Sequence, residues 1–124
     1  MPPSPKGAPL RFWDSSKHRS WLSALAVAEM VLEDPSVLKG FDGPLDRLRA
    51  QPHSKAAVEA WDEVLTLPPI AFARRITELS PRGEFLRDAW PPGGLVIPPD
   101  DILAIGAVRR DHEARGIVAY DCGA

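Results

Sequence analysis

Cysteine is nearly missing from this chain: Cys122 is the one thiol among 124 residues. A disulfide within the chain is therefore excluded, and the usage fits a reducing compartment. A dominant charge is missing too. Fifteen basic residues stand against 17 acidic ones, a formal net charge of −2, so general polyanion binding has no support from the total. No segment approaches the roughly 18 continuous apolar residues that span a bilayer. The best candidate, Trp21–Leu32, is flanked by Lys17, Arg19, Glu33 and Asp34. Met1–Pro9 carries four prolines and no apolar core, which is not the pattern of a secretory signal. A soluble cytoplasmic protein, with no membrane partner, is the expectation.

Motifs of familiar chemistry are absent as well. His18, His53 and His112 show no HxxxH or HExxH spacing and there is no CxxC, so neither a metal nor a cofactor is expected. Asp111-His112-Glu113 cannot chelate as a run, because neighbouring side chains on a helix diverge by about a hundred degrees; it reads as surface charge. Acidic neighbours disfavour a thiolate at Cys122. There is no GxSxG elbow, and Gly40, Gly43, Gly93 and Gly94 are turn glycines outside any phosphate-binding pattern. An acid–base pair of a carboxylate with His53 or His112 is the enzymatic route left open, and it requires a pocket. No internal repeat links the segments.

What the chain does have is proline, fourteen of them, placed mostly between apolar segments. Proline lacks a backbone N–H and disfavours helix in the residue before it, so each marks a boundary. Trp21, Leu25, Ala28 and Leu32 recur at helical spacing, widened by Leu22, Ala26 and Met30, after Asp14, Ser15 and Ser16 as capping residues. Asp34-Pro35 opens a short turn. Pro44–Ala50 is a further helix, Ser54 caps another through Leu65, and Ile70–Leu79 and Pro81–Trp90 follow, joined at Ser80-Pro81.

The last thirty or so residues are ambiguous. Leu95–Ile97 and Ile117–Tyr120 suit short strands, packed as a small antiparallel pair against the helices. For Ile102–Val108 the charge order favours a helix, with Asp100 and Asp101 before it, Arg109, Arg110 and Arg115 after it and Gly116 as its stop. The alternative is a hairpin through Asp111–Gly116. The expected fold is mainly α, a compact bundle of about five to seven short helices with one or two short C-terminal strands. A flexible proline-rich arm over residues 1–10 precedes one domain over 11–124. Around that arm Lys6, Arg11, Lys17 and Arg19 face only Asp14, a local excess of positive charge.

Function is approached by elimination. With no catalytic constellation, the leading expectation is a small non-enzymatic protein-binding regulator, an inhibitor or antitoxin-like protein whose partner is another protein or itself. Phe12, Trp13, Phe41 and Trp90 lie beside breaks, where partial cover leaves large rings to anchor an interface. The alternative is a DNA-binding regulator using a helix-turn-helix-like segment over 70–90. There Arg82 and Arg87 contact base or phosphate while Arg74 and Arg75 hold the backbone. Against it, the charges of Ile70–Gly116 balance, whereas phosphate binding wants a positive face. A small enzyme with an unrecognised site comes third.

Overall fold

Proline does set the helix boundaries. Pro35, Pro69, Pro81 and Pro99 are each the first residue of a helical segment, where the missing N–H costs nothing. The computed structural model describes residues 9–95, 97 and 99–120. In order the elements are β1 (Leu10–Phe12), α1 (Ser15–Glu33), a 3-10 helix (Pro35–Phe41), α2 (Asp42–Arg49), α3 (Lys55–Val64), α4 (Pro69–Ile76), α5 (Pro81–Asp88), α6 (Pro99–Ala114) and β2 (Val118–Tyr120). The chain is mainly α, as its periodicity implied. Residues 1–8 of the expected arm lie outside the described residues.

The chain groups into two compact units, Met1–Ser23 with Pro98–Ala124, and Ala24–Ile97. In the continuous unit, Val27 and Val31 of α1, Phe41, Trp61, Val64, Phe72 and Ile76 form a fully enclosed core. Phe41 stacks on Trp61 at 5.1 Å, and Trp90 meets Trp61 edge-on at 5.0 Å, both favoured aromatic geometries. The buried stripe of α1 differs from the expected one: Leu32 is exposed, and Val27 and Val31 go inside. Ser54 makes no cap for α3; its hydroxyl instead donates to the Leu48 and Gln51 carbonyls, tying the end of α2.

The junction between α4 and α5 is tight for a definite reason. Ser80 Oγ accepts from Gly83 N at 3.2 Å and also bonds the Glu78 carboxylate. A methyl group on Gly83 would overlap the Glu78 carbonyl, so only glycine lets the two backbones approach this closely. Leu95 and Ile97 pack against the core of this unit without entering a ladder.

In the discontinuous unit, Ile117–Tyr120 does supply a strand, but its partner is not Leu95–Ile97. β2 pairs with β1 in parallel, Leu10 opposite Val118, Arg11 opposite Ala119 and Phe12 opposite Tyr120. The expected antiparallel pair is corrected on both strand identity and direction. A pair this short needs side-chain packing to persist, and Phe12 provides it as a buried ring. α6 is a helix as the charge order indicated, and Gly116 ends it at φ 69°, a left-handed turn that glycine adopts freely.

Candidate functional site

The discontinuous unit is closed by a line of polar side chains rather than by aliphatic packing. Asp14 starts α1 by accepting from the Lys17 N–H at 3.0 Å. One turn on, α1 carries His18 fully buried, 0% exposed. Its Nδ1 lies 2.9 Å from the Tyr120 hydroxyl of β2, and its Nε2 lies 3.1 Å from Nδ1 of His112 on α6. Tyr120 in turn donates to Glu113 Oε2 at 2.9 Å. Phe12 stacks on His18 at 4.9 Å.

Proton counting fixes the direction of this line. Burial, with the nearby His112 and Arg109 acting the same way and Glu113 opposing them, lowers His18 from 6.5 to about 4. At neutral pH it therefore holds one ring proton. The Tyr120 proton is committed to Glu113, so the phenol oxygen accepts from His18 Nδ1–H. Nε2 of His18 is then bare and accepts from His112 Nδ1–H. Every bond runs the same way, from His112 through His18 and Tyr120 to the carboxylate. Burial and then Glu113 push the Tyr120 hydroxyl up to about 12, which keeps that proton in place. Chemically the line is a hydrogen-bonded network, buried at its two histidines and reaching solvent at Glu113, which ties together the elements it joins.

The surface charge cluster expected at Asp111-His112-Glu113 is corrected at His112, which is 7% exposed and faces His18. Single-sequence spacing carries no sign of this, since the contact spans 94 positions. His53 lies in a turn with φ 64°, lining an open cleft with Arg49, Lys55, Glu59 and Asp62. Neither histidine hydrogen-bonds directly to a carboxylate among the described residues. No group of side chains placed to hold a metal is found among them either.

The partial cover expected of Phe12 and Phe41 is also corrected. Phe12 is buried by His18 and Trp21, and Phe41 is enclosed by Trp61, Phe72 and Trp90. Trp90 is half-buried through its contacts with Phe41 and Trp61. Trp13 alone of the four is open, at 60% exposure.

The arginines proposed for DNA do not gather on a free face. Arg87 is buried and donates to the carbonyls of Ile76 at 3.1 Å and Glu78 at 2.8 Å. These are carbonyls at and beyond the end of α4, which a helix terminus leaves unpaired. Arg82 makes two bonds to Glu78, and Arg75 lies 3.7 Å from Glu63. Of the four, Arg74 is exposed and has no ion-pair partner among the described residues. Of the two recognition residues of the helix-turn-helix alternative, Arg87 is buried and Arg82 is exposed but paired with Glu78.

Sequence reading passed over α6 as a surface. Its apolar residues circle the helix and most are left in water, with Leu103 at 73% exposure and Ile102 at 54%. A helix apolar all round is ordinarily buried all round. His112 supplies the inward side of α6, whereas Leu103, Ala107 and Val108 are exposed. The chain matches no protein-family model, and neither a curated protein nor a solved structure matches it. No helix among the described residues is long and apolar enough to cross a membrane.

Proposed function

We propose that this chain is a small protein-binding regulator, inhibitor or antitoxin-like in kind, acting in the cytoplasm by occupancy rather than catalysis. The observation that supports the reading is the uncovered apolar surface of α6, centred on Leu103. Covering a leucine-sized side chain is worth about 1.5–3 kcal/mol, so Ile102, Leu103 and Val108 represent binding energy left unused in the free chain. Trp13 adds an exposed ring within the same unit, and tryptophan is among the residue types that most often anchor interfaces. The histidine line acts in this reading as the brace that holds α6 to α1.

The test is association through α6. Leu103→Asp places a charge on the apolar surface without touching the histidine line, and Trp13→Ala removes the ring. Both variants are expected to keep the circular dichroism of the parent. Leu103→Asp is expected to weaken the chain's association at least about tenfold, the scale of one lost hot-spot contact. Unchanged association in both variants would sink the reading.

A further inference from the structure

Resting on that reading of α6, we infer that what α6 binds is a second copy of this chain, docked antiparallel about a two-fold axis at the level of Ile105. Asp100, Leu103, Ala107, Arg110 and Ala114 are all exposed. Their spacing alternates three and four, the pattern of a seam along one side of a helix. The seam has an acidic end, an apolar middle and a basic end.

Antiparallel docking uses all of these features together. Asp100 of one copy meets Arg110 of the other, and the large Leu103 meets the small Ala107, with each contact repeated by symmetry. Such an isologous interface needs one patch that complements itself, and a parallel arrangement would instead set like charges together. Asp100 and Arg110 are also, with Asp101, the charges of α6 left without an ion pair among the described residues. Arg109 pairs with Glu113 at 3.4 Å and Arg115 with Asp111 at 3.2 Å. A lipid surface fits less well, because Asp100 and Asp101 at one end of the helix repel anionic headgroups.

A helix of 16 residues is about 24 Å long, so the buried area lies at the low end for specific interfaces. A dimer resting on so small a seam is expected to be reversible.

Sedimentation velocity on the full chain, from about 1 to about 300 µM, reads this directly. Wild type is expected to shift from monomer to dimer across the series. Asp100→Arg and Arg110→Asp each make the seam like-charged and are expected to weaken dimerisation at least about tenfold. Mixing the two variants restores opposite charges at both contacts, so a one-to-one heterodimer is expected although each alone is monomeric. That rescue also shows that both variants fold.

A wild type that stays monomeric throughout overturns the inference, as does a dimer indifferent to both charge reversals. A monomeric chain that loses a different protein partner on Leu103→Asp overturns self-docking and leaves the binding role of α6 standing. Cosedimentation of a monomeric chain with phosphatidylcholine vesicles overturns it in favour of a lipid surface. A dimer unmoved by the charge reversals and by Leu103→Asp alike removes both readings.

Discussion

His18 and His112 share a hydrogen bond of 3.1 Å with their rings stacked 5.3 Å apart. The pair joins the first turns of α1 to the last turns of α6. Two basic rings at this distance coexist without strain only while one of them supplies a lone pair. The lowered basicity of His18 meets that condition, and its consequences can be measured.

Acid should weaken the fold through His18. Its folded value of about 4 lies below the ordinary 6.5, so unfolding takes up a proton at any pH between them. The contribution is complete above about pH 6.5 and falls as pH drops towards about 4, by about 3 kcal/mol in all. Arg109 and His112 deepen the effect, and Glu113 offsets part of it. Urea midpoints across that range should decline in wild type and much less in His18→Phe. Equal slopes in the two proteins would show that His18 is not the titrating group.

The direction of the hydrogen bonds predicts a tautomer. His18 should carry its proton on Nδ1 and leave Nε2 bare, which the nitrogen-15 shifts of the ring report at neutral pH. Tyr120→Phe leaves that buried N–H without its acceptor and should cost about 1–3 kcal/mol. Finding the proton on Nε2 would reverse the order of the line.

Arg87 should behave as a structural residue. Arg87→Ala uncovers the Ile76 and Glu78 carbonyls and is expected to cost about 2–3 kcal/mol, the range for buried bonds to a charged group. Arg82→Ala removes an exposed pair and should move stability little. Thermal unfolding of both variants separates the two roles, and equal losses would contradict the assignment.

Trp61 carries a buried indole N–H that has no acceptor among the described residues. Trp61→Phe gives up that N–H along with some ring volume, whereas Trp61→Ala empties the centre of the core. The alanine variant should lose about 3–5 kcal/mol, and the phenylalanine variant clearly less. Chemical denaturation with matched slopes tests the ordering, which fails if the two losses are equal.

Much of the helical framework was legible because its causes are local. Asp34, Ser80 and the prolines act within three or four residues, so Pro35–Phe41 and Pro81–Asp88 begin where the sequence says they do. The dipole-ordered charges of α6 and its Gly116 stop work over a similar range. The histidine line was not legible. Phe12 meets Tyr120, and His18 meets His112, through contacts that span nearly the whole chain. Leu10–Phe12 carries only three strand residues, too few for a period to register. Nor could spacing alone show that Arg87 turns inward while Leu103 stays out.

The parallel pairing of β1 with β2 also bears on the order of synthesis. Ala24–Ile97 is continuous, so every member of its core exists once Ile97 has been made. Leu10 must wait for Val118, on the order of ten seconds at the usual pace of translation. Through that interval Phe12 and His18, both destined for the interior, lack the Tyr120 and His112 that cover them. All the residues of the continuous core are thus synthesised before those that close the unit formed by the two outer segments.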